Sequence, residues 1–263
     1  MIASRDRSTR SVLGVGRVVM WKGGSAWVGR ETGEALAHRH HAMQVTLGTR
    51  PFRIRSAGER DWLEACAAIV MPDRPHLFDG CGHAVAMVFV EPETQAGRAL
   101  LARFGDRDLS LLDDPALGAC TIALHEAFQS RDTDAALVDA AQRVVSQLAG
   151  GDAHGQAVVD ARILAVLDRI RNAPAVPIDL ATAAAIAHLS PSRFRHLFVA
   201  QTGISFRAYL LWARVGFAVT RGMAGSSWTD AAQEAGFADS AHLSRTCRRM
   251  FGIAPSMLLP EST

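Results

Sequence analysis

The spacing of apolar and polar positions changes near residue 93. Before it, residues 12–21, 43–47, 52–55, 65–71 and 83–90 are short apolar or alternating runs broken by Gly, Pro and Asp. That pattern predicts strands of a small sandwich or barrel. Asp79-Gly80-Cys81-Gly82 reads as a hairpin turn ahead of the last run. After it, residues 94–104, 116–129 and 134–149 follow a helical period. In the third of these, Leu137, Val138, Ala141, Val144, Val145 and Leu148 form one stripe, which either packs on its own domain or makes a dimer seam. The polar, Gly-rich stretch 150–155 reads as a linker.

Beyond the linker, residues 158–172 predict a helix with Ile163, Val166, Leu167 and Ile170 on one face, ended by Pro174 and Pro177. One pattern then occurs twice, as LATAAAIAHLSPSRFRHLFVAQTG at 180–203 and TDAAQEAGFADSAHLSRTCRRMFG at 229–252, offset by 49 residues. Each copy is a short Ala-rich helix, a tight connection and a second helix carrying Arg, the layout of a helix-turn-helix reader of DNA. Asp179, Ser190, Ser205 and Asp239 are placed to cap helices, and Ser227 with Asp230 forms a capping box. Pro191 follows its cap, and Gly203 and Gly236 stand at helix ends. Phe194, Leu197 and Phe198 face inward in copy one, as do Leu243, Cys247, Met250 and Phe251 in copy two. Ser192, Arg193, Arg195, His196 and Val199 are left outward in the first copy. Ser240, Ala241, Ser244, Arg245, Arg248 and Arg249 are left outward in the second. Between the copies, a helix of residues 205–222 would span about 27 Å, close to the ~34 Å turn of B-DNA. Gly216 and Gly222 are expected to weaken that rod by about 1 kcal/mol each.

Charge sharpens the division. Residues 154–263 hold 11 Arg against 7 acids, net +4, while residues 1–153 hold 17 basic residues against 19 acids, net −2. A polyanion partner at one end fits that asymmetry. All basic residues but Lys22 are Arg, a bias expected mainly of a GC-rich genome, although Arg also suits phosphate and guanine. Cys66, Cys81, Cys120 and Cys247 lack the CxxC spacing of a structural zinc site. The first twenty residues lack the apolar run of a signal peptide and no stretch matches a membrane span, so a cytoplasmic protein is expected.

Residues 178–258 resemble the DNA-binding module of the AraC/XylS family of bacterial transcription regulators. The likeness is carried by LSPSRFRHLF, TGISFRAYL, the AAQEAGF block, F-x-D-S-x-H-L-S-R and RRMFGIAPS. The resemblance implies base reading by Ser192, Arg195 and His196 in copy one and by Ser240, Ala241 and Arg245 in copy two. Arg193 and Ser244 join the DNA-facing set, and Arg248 and Arg249, near the helix end, are expected either to contact phosphate or simply to be solvated. It implies double-stranded promoter DNA as partner, a homodimer, RNA polymerase if the protein activates, and no membrane. Two departures stand out: Cys247 replaces a core Phe, and Leu258-Leu259 replaces the usual Tyr-Arg after Pro255. Cys247 is either a thiol sensor or an inert core cysteine.

In the first half, HRHHAMQVTLG at 38–48 is followed by MPDRPHLF at 71–78. On a strand His38 and His40 would share a face, with His41 opposite. The two stretches resemble the cupin motifs H-x-H-x3-E and P-x-G-x-P-H, and AraC-type regulators commonly carry such a barrel as effector domain. By position, the cupin metal ligands become His38, His40, Gln44 and His76; Gln44 lacks the usual charge, and Asp73-Arg74 lacks the motif's glycine. Three roles stand open. His38, His40 and His76 hold a divalent transition metal; or His38, His40, Gln44, His76 and Trp21 line an organic effector pocket; or the histidines are structural. Trp27 and Trp62 are either further pocket walls or plain core. Cys66 and Cys81 are a candidate redox pair.

The expected fold class is α+β: an N-terminal cupin-like β-barrel with helices, then an all-α domain with two helix-turn-helix units. The expected boundaries are 1–105 for the effector domain, 106–152 for a helical dimerisation and linker region, and 153–263 for the DNA-binding domain. The function implied is an effector-responsive, sequence-specific transcription regulator without catalytic residues. The alternatives are a metal-binding cupin sensor, or a cupin enzyme fused to a DNA-binding domain. A protein-only interaction module is disfavoured by the outward Arg face.

Overall fold

A computed structural model describes residues 13–130, 133–150 and 159–260. Its strands are β1 Leu13–Trp21, β2 Gly24–Thr32, β3 Glu34–His38, β4 Met43–Ser56, β5 Leu63–Val70, β6 His76–Asp79, β7 Ala84–Val90, β8 Leu109–Leu111 and β9 Leu258–Pro260. They form one sheet, curled into a half-barrel, in the order β3-β6-β4-β7-β2-β1-β9, with β5 and β8 branching from β4. Strand alternation gives the sheet two faces. Val28, Met43, Val45, Leu47, Ile69 and Val88 point beneath the helices α1 Gln95–Phe104, α2 Pro115–Gln129 and α3 Asp134–Ala149. Trp27, Ala68, Val70 and Val85 point the other way, with Phe52 and Phe78. The ladder between β4 and β5 slips in register between Leu47 and Phe52, while Phe52 and Ile54 keep the even parity of Gln44 and lie on the second face.

Two expectations change here. The stripe on α3 is spent inside this core: Leu137, Ala141, Val144, Val145 and Leu148 are buried against α2 and the sheet, so it is not a free dimer seam. The turn at Asp79–Gly82 is present but does not close a hairpin. One edge of β4 pairs with β7 at Met43–Gly48 and with β6 at Arg53–Ser56, so the turn steps the chain along a single edge. Of the expected linker, Gly150 follows α3, and 151–155 lie outside the described residues.

The C-terminal half is helical: α4 Ala161–Asn172, α5 Leu180–Ile186, α6 Pro191–Thr202, α7 Phe206–Met223, α8 Trp228–Glu234 and α9 Ser240–Phe251, then a 3₁₀ turn at Pro255–Met257. The expected caps are formed. Asp179 accepts from the Thr182 N–H at 2.7 Å, Ser205 from Ala208 at 3.2 Å and Asp239 from His242 at 2.5 Å. In the capping box the Ser227 hydroxyl accepts from the Asp230 N–H at 3.1 Å and donates to its carboxylate at 2.6 Å. Ile163, Leu167, Phe194, Phe198 and Tyr209 make one core, and Val215, Ala218, Phe237, Leu243 and Cys247 another. The rod α7 belongs to both. Gly222 is no weak point in it, because the Trp228 ring lies where a Cβ would stand.

Both open edges of the sheet are closed by this helical half. β9 pairs in parallel with β1, Leu258 opposite Gly14 and Leu259 opposite Val15. At the far edge, the N–H groups of Leu36 and Arg39 donate to the carbonyls of Gly252 and Arg249 at 3.2 and 3.3 Å, bringing the end of α9 onto β3. An unpaired sheet edge invites aggregation, and here it is covered within the chain. Leu258-Leu259, the departure noted above, is thus the strand that ties the two halves together.

Candidate functional site

The candidate DNA-reading surface is built by two helices whose apolar sides are buried in the cores just described. On α6, Phe194 and Phe198 point in, leaving Ser192, Arg193, Arg195 and His196 exposed. On α9, Leu243, Thr246 and Cys247 point in; Ala241, Arg245, Arg248 and Arg249 are exposed, and Ser240 and Ser244 are half-buried. The two ends of α9 face different surroundings. Its N-terminal half, with Ala241 and Arg245, is open, whereas its last turn lies on β3 through the Arg249 carbonyl.

His38, His40 and His76 come together, their ligand atoms all within 4.8 Å of one another. The strand predicted to align the first two ends at His38, and it is the turn after β3 that places His40 beside it. The Nδ1 atoms of His38, His40 and His76 lie 2.8, 2.8 and 2.9 Å from the carbonyls of Leu36, Ala42 and Arg74. Carbonyls only accept, so the Nδ1 of His38 and of His76 carries the proton and leaves a lone pair on Nε2. Burial lowers all three, His38 to about 3 with help from His40, which keeps the cluster neutral. The Gln44 amide oxygen stands 3.0 Å from the His40 Nε2, and its N–H donates to the Thr46 hydroxyl at 2.9 Å. The Nε2 of His76 is buried with no partner.

His41 points away, its Nε2 donating to the Glu93 carboxylate at 2.9 Å. Glu93 and Glu91, both buried, share Arg171 of α4, which bonds Glu93 at 3.0 Å and pairs with Glu91. The Trp212 indole N–H donates to Glu91 at 3.1 Å, and the Tyr209 hydroxyl lies at 3.4 Å. Burial and the neighbouring Glu93 raise the Glu91 carboxyl, while for Glu93 burial is outweighed by His41 and Arg171, which lower it. This network joins the loop after β7 to α4 and α7, across the two halves of the chain.

Beside it lies a cavity of about 540 Å³. Its sheet-side wall includes Trp21, Trp27, Glu31, His38, Gln44, Phe78, Met87 and Phe89; its helical wall includes Tyr209, Trp212, Ala213, Phe217 and Phe251. Of the predicted pocket residues, Trp21, His38 and Gln44 line it. His40 and His76 do not, because their rings pack against His38 and one another. Trp62 is elsewhere, under the guanidinium groups of Arg53 and Arg55. All four cysteines are free; Cys66 and Cys81 are exposed, and burial pushes the Cys247 thiol up to about 12, as for an inert core cysteine. Glu31, Glu91, Arg171, Trp212 and Phe251 escaped the motif reading. Only the inward parity of Glu31 and Trp27, four apart on β2, was available locally.

A helix-turn-helix domain model matches residues 183–259. In fold the chain is similar to ToxT from Vibrio cholerae O395, at 13% identity and TM-score 0.56, covering 90% of this chain and 96% of that one. It is similar to unsaturated fatty acid-bound ToxT from V. cholerae strain SCE256 at 10% identity and TM-score 0.50, over 94% of this chain and 91% of that one. An AraC-type regulator from Chromobacterium violaceum is similar over 36% of this chain and 87% of its own, at 21% identity and TM-score 0.35. No curated protein matches the sequence. Among the described residues no helix is long and apolar enough to cross a membrane. Two capped helices with an open Arg face and the domain match over the same residues make 183–259 a helix-turn-helix domain, joined to an N-terminal half that shares the fold of ToxT.

Proposed function

We propose that this chain is an AraC-type DNA-binding transcription regulator, switched by a small organic effector held in the interdomain cavity. The observation that carries the reading is the composition of its walls. Trp27 and Phe89 come from the sheet, Trp212 from the rod between the reading units, and Phe251 from the last turn of α9. A ligand there touches both halves at once. It shifts the balance between docked and released arrangements only by its differential affinity for them. The volume suits a drug-sized molecule. ToxT, which shares the fold, has been solved with an unsaturated fatty acid bound and with a naphthalenyl butenoic acid bound.

In this reading Arg195, His196 and Arg245, with the smaller Ser192, Ser240 and Ala241, read bases, while Arg193, Ser244, Arg248 and Arg249 hold backbone. The protein acts in the cytoplasm as a homodimer on promoter DNA, contacting RNA polymerase where it activates. It works without catalysis, since Gln44 stands where a cupin enzyme has a carboxylate. The test is operator binding by the full chain with and without effector, and with Ala213→Trp, which fills the cavity. Effector that binds yet leaves operator affinity and spacing preference unchanged refutes the switch.

A second reading is favoured by the unpartnered His76 Nε2. Three neutral imidazoles with ligand atoms brought together and Nδ1 atoms facing carbonyls fit a divalent transition metal. His38, His40 and His76 would hold it, and it would supply a fixed positive charge beside the cavity. Elemental analysis of protein purified without chelator, with His76→Ala as control, decides it; no bound metal and no stabilisation by added Zn²⁺ or Ni²⁺ ends this version.

A further inference from the structure

The charges in the cavity wall are unequal in their satisfaction. Lys22 pairs with Asp168 at 2.9 Å, and Arg171 is taken up by Glu91 and Glu93. Both cations are therefore neutralised in place. Glu31 is the exception: it is 4% exposed, and among the described residues no group hydrogen-bonds or pairs with its carboxyl. Its charged neighbour Asp79 is itself an acid, already held by Arg53 and by the Cys81 N–H at 2.8 Å. Trp27, four residues earlier on the same face of β2, lines the same cavity, and its indole N–H also has no acceptor.

A buried carboxylate without a partner is costly, and structures keep such a group where something else completes it. The missing piece is a hydrogen-bond donor bearing positive charge, in a space whose other charged groups are already paired and whose walls are largely apolar and aromatic. Ammonium groups are attracted to Trp and Phe faces as well as to carboxylates.

Resting on the reading that this cavity is the effector site, we propose that the effector is an amine on an apolar body. Its ammonium group is held by Glu31 beside Trp27, and its body lies along Phe89, Trp212 and Phe217. Burial and the nearby Asp79 raise the empty-site carboxyl to about 8, and a bound ammonium reverses that cost.

The experiment uses the full chain and three probes of one length: octylamine, octanoate and octanol. Binding is read by calorimetry, and operator affinity is measured in parallel. Octylamine is expected to bind at least about tenfold more tightly than the other two, the worth of one charge-assisted hydrogen bond. In Glu31→Gln that preference is expected to vanish while octanol binding stays. Because Gln removes a buried acid, the variant folds at least as well as the parent, which circular dichroism checks. Octanoate binding more tightly than octylamine, with both lost in Ala213→Trp, overturns the amine assignment and leaves the cavity reading standing. Octylamine that binds through Glu31 without changing operator affinity supports the amine assignment and refutes the effector reading. No binding by any probe overturns the proposal.

Discussion

Replacing Arg171 by Ala strands two buried carboxylates. Glu91 and Glu93 have side chains only 12% and 0% exposed, and among the described residues Arg171 is the one guanidinium bonded to both. Removing one partner of a buried pair costs about 3–5 kcal/mol, chiefly because the remaining charge is left desolvated. Here Trp212 and His41 continue to donate to the two acids, which places the expected loss near the lower end, about 3 kcal/mol. Against a typical total of about 5–15 kcal/mol this is large. The sign with pH follows from Glu91. Its folded carboxyl already lies above the ordinary 4.5 and rises further without Arg171. A group raised in the folded state gives stability that is complete below its unfolded value and lost as pH rises. The deficit of Arg171→Ala is therefore larger near pH 8 than near pH 5, where the acids take up protons. Urea melts followed by Trp fluorescence measure it, Trp212 reporting the network directly. A deficit under about 1 kcal/mol at pH 8, or one that grows toward acid, refutes the view that Arg171 neutralises this buried pair.

Three further outcomes are expected. Gly252 combines a φ of +75° with a position where a Cβ would stand 2.5 Å from the Leu36 carbonyl and 2.7 Å from the His38 Nδ1. Gly252→Ala should cost at least about 1–2 kcal/mol and loosen α9 from β3, seen as a lower Tm and faster proteolysis between the halves. Arg245→Ala should weaken specific operator binding by about 1–3 kcal/mol and relax one base preference; equal weakening on random DNA would make Arg245 a phosphate contact instead. Glu31 is raised from 4.5 to about 8, so its share of stability is present below 4.5 and lost as pH climbs to about 8. Glu31→Gln should flatten that decline in the ligand-free protein, and an unchanged pH profile would show that Glu31 is not buried as an acid.

The helices of the reading domain were legible because their signals are local. A cap at Asp179, Ser190 or Asp239, a stop at Gly203 and an inward triplet such as Phe194, Leu197 and Phe198 all act within a few residues. The strands were read less well. β2 and β3 escaped, since a strand's partners lie far away, and the register of β4 against β5 slips at an irregularity no short window shows. His38, His40 and His76 were picked out as a set by motif spacing, yet only His38 faces the cavity. Packing of three rings against one another decides that, not alternation along a strand.

By itself the sequence determined that two capped helix-turn-helix units, with Arg on their open faces, end this chain, since propensity, capping and period are properties of neighbouring residues. Only the tertiary structure decided that the second unit closes the N-terminal sheet, that Leu258 and Leu259 form a strand against β1, and that Phe251 walls a cavity. It also brought Glu91 to Trp212 across 121 residues. No local period encodes such a meeting; it follows from burying two half-covered sheet edges and one set of opposed charges together.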